Sequence, residues 1–366
     1  MLRPMALRIF TSITANYIPK ARVLAHSIKH WHPEVHFTVV LSDEHPELNL
    51  SAEPFDAILG INDLGIPDVK PWMFQHSLVE LSTAVKGFAL VKLLNEPGSS
   101  EVVYFDPDIA VLSPLDPLVA HFETASILLT PHLTEPETTI EGIWDNELCA
   151  LRHGVYNLGF VGVKKSVDGL AFAHWWADRL THFCRDDIAN GMFTDQRWID
   201  LAPAYFDDLA ILRDPVFNVA TWNLSRRKVE GDLAKGLTID GKEIVFYHFS
   251  GLDSGAQMDM LNKYGRGMPG LFELREWYLR ECDRMGQATF STIPWAFGIF
   301  ENGEPIRPHH RKRYRDRGDL RTAFPDPFVT SDVNRSYYHW FQANDGEGAP
   351  HSVARRLWMK LNAVRA

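Results

Sequence analysis

Cysteine and long apolar runs are both scarce in this chain. Three cysteines occur in 366 residues and no two of them form a C-x-x-C pair, which excludes a disulfide-rich miniprotein and is typical of reduced thiols. No segment approaches the roughly 18 apolar residues that a membrane-spanning helix needs. Residues 1–21 lack the apolar core of a signal peptide. We therefore expect a cytoplasmic protein.

Positive charge is also in short supply. The chain has 37 Lys+Arg against 47 Asp+Glu, a net charge of -10. Because contact with nucleic-acid phosphates needs a clustered basic surface, this balance argues against nucleic acid as the main partner. Hydrophobic residues make up 45% of the chain, which excludes a disordered protein. The length allows two domains, or one large α/β domain with an appendage.

The first part of the chain alternates short apolar runs with helical periods. Residues 8–12 and 36–41 predict buried strands on either side of a helix over 17–30, and a helix over 82–94 precedes a strand over 101–105. A second set of strands and one helix is predicted over 127–129, 156–163, 170–184 (the helix) and 244–249. This alternation predicts an α/β fold: a mixed, mostly parallel sheet flanked by helices, with ligands at the carboxyl ends of its strands.

The composition changes from about Thr292, where proline, arginine and histidine become dense. We interpret residues 1–290 as the main domain and 291–366 as a basic C-terminal extension, irregular or linker-like, that ends in an amphipathic helix over 353–364. The basic run 307–321 and the terminal helix suggest peripheral contact with an anionic membrane. The alternative is a solvated arginine surface paired with the protein's own carboxylates.

The motif that bears most directly on chemistry is Asp106-Pro-Asp108, directly after the strand over 101–105. Side chains two residues apart in an extended chain project to the same side, so both carboxylates face one point beyond the sheet edge. Such a pair is suited to a hard divalent cation whose remaining ligands are substrate phosphates. A solvated turn capped by aspartate is the alternative.

His248 ends another apolar strand and is followed by small residues. Its imidazole could add a nitrogen ligand to the same ion, which would shift the preference from Mg²⁺ toward Mn²⁺. The alternative is a core histidine that bonds a carbonyl oxygen.

Four blocks of this sequence resemble GT-A glycosyltransferases of family eight, the group that contains glycogenin and bacterial lipopolysaccharide hexosyltransferases. The blocks are residues 11–17, 103–108, 156–160 and 247–251. The resemblance implies a GT-A type, Rossmann-like sheet and transfer of a hexose from a UDP-sugar to a saccharide or lipid-linked acceptor, with retention of configuration, in polysaccharide biosynthesis. It also implies that Asp106, Asp108 and His248 hold Mn²⁺ (or Mg²⁺) on the donor diphosphate.

The resemblance implies roles for further residues in binding the nucleotide-sugar. Thr11 and Asn16 correspond to contacts with the base or ribose, and Tyr17 to a stacking platform for uracil, with a core aromatic as the alternative. Gly159 and Gly251 correspond to loops that the donor approaches closely, where a missing side chain lets the backbone come near a ligand.

Four residues are implied to act at the transferred sugar. Lys86 corresponds to a basic residue that reaches the phosphates or sugar, Asn157 to the sugar-binding loop, and Asp195 and Gln196 to a pair beside the donor sugar and acceptor. An exposed helix lysine and a helix N-cap are the alternatives for Lys86 and Asp195. No nucleophile stands out, so we favour same-face attack in which the leaving phosphate takes the acceptor proton and Asp195 positions the reactants.

The sequence departs from the family after His248. The family usually has a lysine-proline-tryptophan group that grips the diphosphate, whereas residues 251–255 here read Gly-Leu-Asp-Ser-Gly. Lys263 and Arg266 are candidates to replace the missing lysine. The residue that clamps the diphosphate is therefore left open.

Two other functions compete with sugar transfer. A phosphatase of the haloacid dehalogenase type also has D-x-D at a strand end, with Asp207 and Asp208 as its later acidic pair, but it normally has Thr or Val where this chain has Ala110. A non-catalytic protein that binds a sugar nucleotide or glycan is the second alternative. Disruption of the two aspartates or the histidine would be its signature, and all three are intact.

Overall fold

The computed structural model describes residues 7–44 and 48–344. The described residues form two units: the first comprises those up to Gly65 together with Ser82–Pro294, and the second comprises Ile66–Leu81 together with those from Trp295 onward. The helix predicted over 353–364 lies outside the described residues. Within the described residues, no helix is both long enough and apolar enough to cross a membrane.

Fourteen strands occur in the described residues, all of them in the first unit. They are β1 Leu7–Ile13, β2 His36–Leu41, β3 Ala57–Gly60, β4 Glu101–Phe105, β5 Ile109–Val111, β6 Ile127–Pro131, β7 Tyr156–Lys164, β8 Arg185–Asp187, β9 Met192–Thr194, β10 Leu209–Ile211, β11 Val229–Asp232, β12 Gly236–Ile239, β13 Lys242–Glu243 and β14 Phe246–His248.

Seven of these strands form the central sheet, in the order β10-β6-β7-β4-β1-β2-β3. Four of its six pairings are parallel, and the two antiparallel ones involve β7, which lies between β6 and β4. The predicted mixed, mostly parallel sheet is therefore confirmed. Residues of the five inner strands are nearly all buried, as expected for strands whose two faces are covered, whereas the edge strands β3 and β10 are half-buried.

The strand predicted over 244–249 does not join the central sheet. Of these residues, Phe246–His248 form β14, which pairs antiparallel with β5 in a separate two-stranded sheet, with His248 opposite Ile109. The chain leaves the central sheet in a turn directly after β4, closed by a bond from the Ile109 amide to the Asp106 carbonyl at 3.1 Å. This turn carries the D-x-D motif and directs β5 toward β14.

The helices have bounds close to those predicted in the first unit. They are α1 Ile18–Trp31, α2 Val69–Phe74, α3 Leu78–Asn95, α4 Asp116–Val119, α5 Ile140–Gly142, α6 Leu148–His153, α7 Val167–Phe183, α8 Ala202–Tyr205, α9 Ala256–Tyr264, α10 Pro269–Arg284, α11 Gln287–Phe290, α12 Pro308–Asp316, α13 Gly318–Ala323 and α14 Tyr337–Asn344. A π-helical turn over Ile143–Glu147 connects α5 to α6.

The second unit is helical and has its own apolar cluster, so the prediction of an irregular segment after Thr292 was wrong. Phe74, Tyr314 and Tyr337 are at the centre of the cluster. Arg311 is buried among them and donates to the Phe74 carbonyl at 3.1 Å, and burial lowers its pKa to about 10. The dense arginine and histidine concealed the apolar spacing of these helices, because one of the charged residues belongs to the core.

Candidate functional site

The candidate site lies where β4 ends and β7 begins. Phe105 of β4 is opposite Phe160 of β7, and the Asp106 amide donates to the Gly159 carbonyl at 2.8 Å. This bond continues the pairing one residue beyond β4. The D-x-D motif is therefore fixed at the carboxyl end of a central strand, as the sequence predicted.

Asp106, Asp108 and His248 converge at this edge. Nε2 of His248 lies 3.1 Å from Oδ1 of Asp108 and 3.8 Å from Oδ2 of Asp106. One ligand atom from each residue lies within 4.8 Å of the other two. The Phe249 amide donates to the Asp108 carbonyl at 2.8 Å, which ties the end of β14 to the D-x-D turn. Two carboxylates and one imidazole in this arrangement fit a divalent cation.

The charges of this group stabilise one another. Burial acts to raise the pKa of Asp108, but the adjacent His248 brings it below its ordinary value. Burial acts to lower the pKa of His248, but Asp108 and then Asp106 raise it above its ordinary value. His248 is buried, and no hydrogen-bond partner for its Nδ1 occurs in the described part of the chain. The ring is therefore held chiefly through Nε2 and by packing.

Lys86 connects the D-x-D motif to Asp195. Its ammonium lies 3.2 Å from Oδ1 of Asp106, 3.1 Å from Oδ2 of Asp195 and 3.1 Å from the Leu158 carbonyl. Burial acts to lower the pKa of Lys86, but the two carboxylates raise it well above its ordinary value. The alternative of an exposed helix lysine is wrong, because Lys86 is buried.

Asp195 is 2% exposed, and burial raises its pKa above the ordinary value despite the attraction of Lys86. It follows β9, whose last residue, Thr194, has a left-handed backbone with φ of +46°. The Asp195 carbonyl accepts a bond from the Trp176 indole at 3.2 Å. The short helical turn that follows begins after Gln196, and no side chain caps it, so the N-cap alternative for Asp195 was wrong.

The amides of Gln196 and Asn157 are engaged by the protein itself. Gln196 accepts a bond from the Leu158 amide at 3.0 Å and donates to the His153 carbonyl at 3.0 Å. Oδ1 of Asn157 accepts from the Asn218 side chain at 2.9 Å and from the Gly159 amide at 3.2 Å. These bonds fix the start of β7 beside the cation site. Contact of either amide with a sugar stays a prediction.

The residues predicted to bind the nucleotide lie within or just after β1, except Gly251. Thr11 is fully buried inside that strand, whereas Asn16 and Tyr17 are partly exposed beyond it. Asn16 accepts a bond from Thr14 at 2.5 Å, and Tyr17 donates one to Asp253 at 2.5 Å. Gly251 lies in the turn after β14 with a left-handed φ of +78°. Nucleotide binding by these residues stays a prediction.

Two residues of the site were missed at the sequence level. The Tyr104 hydroxyl donates to Oδ1 of Asp106 at 2.6 Å and lies 3.2 Å from the Ser12 hydroxyl. Tyr104 precedes Asp106 by two residues, so the same two-residue period that pairs the aspartates could have identified it. Lys20 of α1 has its ammonium 2.6 Å from Asp253, and nothing in the sequence distinguishes it from an ordinary helix lysine.

The two candidates for the missing diphosphate lysine lie on α9 and in the turn that follows it. Lys263 is paired with Asp145 at 2.5 Å and Glu141 at 2.7 Å, and Arg266 is exposed in the turn after α9. Lys263 instead connects α9 to the helical segment that precedes β7.

Comparison with known proteins gives relatives without an assigned activity. No protein-family model matches the chain. It is similar to the uncharacterized protein YfnF of Bacillus subtilis (strain 168), with 26% identity over 175 residues that cover 47% of this chain and 56% of YfnF. It is also similar to the uncharacterized protein YfnD of the same organism, with 24% identity over 246 residues that cover 66% of this chain and 76% of YfnD. The chain thus spans little more than half the length of YfnF.

Several solved structures have a low overall similarity to the chain. The galactosyltransferase LgtC in complex with donor and acceptor sugar analogs has a TM-score of 0.41 at 14% identity and covers 79% of this chain and 97% of LgtC. The apo form of mouse xyloside xylosyltransferase 1 has a TM-score of 0.38 at 14% identity, with coverages of 66% and 97%. The glycosyltransferase GlyE of Streptococcus pneumoniae TIGR4 has a TM-score of 0.37 at 15% identity, with coverages of 59% and 46%. At these TM-scores the similarities assign no function to the chain.

Proposed function

We propose that this chain is a metal-dependent glycosyltransferase of the GT-A type that moves a hexose from a UDP-sugar to a saccharide or lipid-linked acceptor with retention of configuration. The observation that carries the proposal is the convergence of Asp106, Asp108 and His248 at a strand end, directly beside the buried Lys86–Asp195 pair. The four sequence blocks that resemble family eight meet at this edge of the sheet.

Asp106, Asp108 and His248 would hold the cation, with the imidazole favouring Mn²⁺ over Mg²⁺. When bound, the cation supplies Lewis-acid stabilisation of the charge that grows on the departing diphosphate. Asp106 can contribute Oδ2, because its Oδ1 is bonded by Lys86 and Tyr104. Those two bonds orient the carboxylate before any ion binds.

Lys86 and Asp195 extend the site from the cation toward the donor sugar. The Lys86 ammonium is held in place by Asp106, Asp195 and a carbonyl oxygen, so its charge needs no reorganisation to act on a departing phosphate. Asp195 keeps Lys86 in position and, in same-face attack, positions the acceptor while the leaving phosphate takes the acceptor proton. Asn157 and Gln196 shape the adjoining loop.

The decisive experiment is Asp108→Asn, assayed for transfer and hydrolysis of a panel of UDP-sugars with and without Mn²⁺. Loss of one preorganised stabilising group raises the activation barrier by about 3–4 kcal/mol. We therefore expect the rates of transfer and hydrolysis to decrease by about two to three orders of magnitude. Asp259→Asn, an exposed aspartate on α9, is the matched control and should keep full turnover. Full turnover by Asp108→Asn would refute the proposal. The anomeric configuration of the product, read by NMR, tests retention.

The phosphatase alternative is disfavoured by the position of its acidic pair. Asp208 precedes β10 and bonds Ser126, which precedes β6. Both strands run in the direction of β4, so this pair lies at the amino end of the sheet, whereas Asp106 lies at the carboxyl end.

A non-catalytic binding protein would bind UDP with Mn²⁺ and show no turnover on any acceptor in the same panel. Cytoplasmic location and peripheral membrane contact stay predictions.

A further inference from the structure

Lys20 has a buried ammonium with unused hydrogen-bonding capacity. Its side chain is 4% exposed, and its Nζ donates to Oδ2 of Asp253 at 2.6 Å and lies 4.2 Å from the centroid of the Tyr17 ring. An ammonium has three N–H donors, and in the part of the chain that the structure describes one oxygen accepts from it. A buried charge with so few partners is costly unless another anion also binds it.

Asp253 differs from Lys20 in being accessible. Its side chain is 53% exposed, and it lies in the turn between His248 and α9. Gly251 and Gly255 flank the turn, both with left-handed φ angles near +80°, at +78° and +82°. Glycine adopts these left-handed conformations without strain, so the backbone on each side of Asp253 is held by no side chain.

Two donors converge on a single oxygen of this carboxylate. The Tyr17 hydroxyl donates to Oδ2 of Asp253 at 2.5 Å, and the Lys20 ammonium donates to the same atom at 2.6 Å. Burial, and then the bond to Asp253, raise the pKa of Tyr17 well above its ordinary value, so the phenol remains a donor. An ammonium and a hydroxyl aimed at one anionic oxygen are the groups that bind a phosphate oxygen.

Lys20, Tyr17 and Asp253 lie at the same edge of the sheet as the candidate cation site. The Phe249 amide donates to the Asp108 carbonyl at 2.8 Å, and Asp253 follows Phe249 by four residues in the turn after β14. Tyr17 and Lys20 follow the carboxyl end of β1, which pairs in parallel with β4, the strand that leads into Asp106. A diphosphate on the cation would therefore extend toward Lys20.

We propose that Lys20 and Tyr17 bind the diphosphate of the donor beside the cation, and that Asp253 occupies the position of a phosphate oxygen until the donor displaces it. The inference rests on the proposed function and names the residue that replaces the missing lysine clamp. In the turn after His248, where the family it resembles has a lysine, this chain has a carboxylate that is bound by a lysine from α1. Asp253 thus competes with the diphosphate for Tyr17 and Lys20, and this competition lowers the affinity of the chain for the diphosphate.

The test measures binding of inorganic pyrophosphate with Mn²⁺ to the full chain by isothermal titration calorimetry. Removal of a charge-assisted bond corresponds to about tenfold in affinity, so Lys20→Met should weaken pyrophosphate binding by about tenfold and Asp253→Asn should strengthen it by a similar factor. Asp259→Asn, which removes one negative charge from the surface of α9, should bind like wild type. In the double variant the gain from Asp253→Asn should be smaller than in the wild-type background, because Lys20 is one of the two donors for which Asp253 competes.

The outcomes separate this inference from the proposed function. Unchanged affinity in Asp253→Asn, or additive effects in the double variant, would overturn the competitor role, and wild-type affinity in Lys20→Met would overturn the clamp. In those cases the proposal of Mn²⁺-dependent sugar transfer would remain, because the turnover of Asp108→Asn tests it separately. Failure of the wild-type chain to bind pyrophosphate with Mn²⁺ would overturn the diphosphate site, and turnover of the UDP-sugar panel would then decide the proposed function separately. Asp253 is exposed, so its variant tests the inference even if Lys20→Met folds poorly.

Discussion

Gly159 lies against the imidazole of His248 so closely that no methyl group fits between them. A Cβ atom at position 159 would lie 2.5 Å from Cε1 and 2.7 Å from Nδ1 of His248, and 2.8 Å from Oδ1 of Asn157. The Trp222 ring also packs edge-on to the imidazole, with ring centroids 5.2 Å apart. The histidine therefore has little room to shift, and the absence of a side chain at Gly159 places it toward the aspartates.

Gly159→Ala should displace His248 and weaken Mn²⁺ binding by about 10–100-fold, the effect expected when a group that orients a metal ligand is disturbed. The same overpacking should cost about 1–3 kcal/mol of unfolding free energy. Calorimetric titration with Mn²⁺ and urea unfolding measure the two effects separately.

The matched control is Gly162→Ala in the same strand. A Cβ there would lie 2.9 Å from Cζ of Phe122, so the substitution overpacks β7 without touching a cation ligand. We expect a comparable loss of stability with wild-type Mn²⁺ affinity. If Gly159→Ala bound Mn²⁺ as tightly as Gly162→Ala does, Gly159 would have no part in placing His248.

The ion pair between Lys86 and Asp195 should be strongly coupled. Lys86→Met leaves the buried Asp195 carboxylate without its cation, which typically costs about 3–5 kcal/mol. Combining it with Asp195→Asn removes the unpaired charge, so the double variant should lose less stability than the sum of the single losses. Urea unfolding of the four proteins gives the coupling energy.

A surface pair provides the comparison for that cycle. Lys228 and Glu230 are exposed and 2.6 Å apart, and Lys228→Met should cause no measurable change. If the losses of unfolding free energy in Lys86→Met and Asp195→Asn summed to the loss in the double variant, the 3.1 Å contact would contribute no coupling energy.

Tyr104→Phe removes the hydroxyl that orients Asp106. We expect Mn²⁺ affinity to fall by about tenfold or more, because partners of metal ligands typically contribute that much, with a stability loss of about 1 kcal/mol. Tyr314→Phe, in the second unit, removes a bond of 2.7 Å to the Phe324 carbonyl and should leave Mn²⁺ affinity unchanged. Equal Mn²⁺ affinities in the two variants would contradict the role given to Tyr104.

Local pattern predicted the strands that position the site. Residues 36–41 and 101–105 form β2 and β4 with the predicted bounds, because apolar runs of this length are buried on both faces of the sheet. The strand period alone predicted that Asp106 and Asp108 face one point beyond the end of β4. His248 was left open between a metal ligand and a core histidine, and its place beside the aspartates was implied by the resemblance to family eight.

Contacts between distant parts of the chain could not be predicted in this way. The sequence singled out Lys86 and Asp195 separately but gave no reason to pair them, because α3 and the segment after β9 meet only in the folded protein. Lys20 and Asp253 are separated by 233 residues, and neither belongs to a recognisable motif. Hydrophobic period also failed for α12, where a buried arginine takes an apolar position.

His76 should make the stability of the protein decrease in acid. It is buried with its Nδ1 2.7 Å from the Trp72 carbonyl, and burial lowers its pKa to about 4, with Glu80 opposing the shift. In the unfolded chain a histidine has a pKa of about 6.5, so between these values the unfolded state binds the proton and the native state does not. The decrease in the free energy of unfolding therefore begins as the pH falls through about 6.5. It reaches about 2 kcal/mol near pH 5 and is complete below about pH 4.

His76→Gln isolates this contribution, because glutamine does not titrate. Urea unfolding between about pH 7.5 and pH 5 should show a stability decrease smaller by about 2 kcal/mol in His76→Gln than in wild type. The exposed His174→Gln on α7 should keep the wild-type dependence on pH. Parallel curves for wild type and His76→Gln would mean that His76 takes up its proton equally well in the native and the unfolded state, which its burial opposes, because the charged ring would have to displace packed residues to reach water.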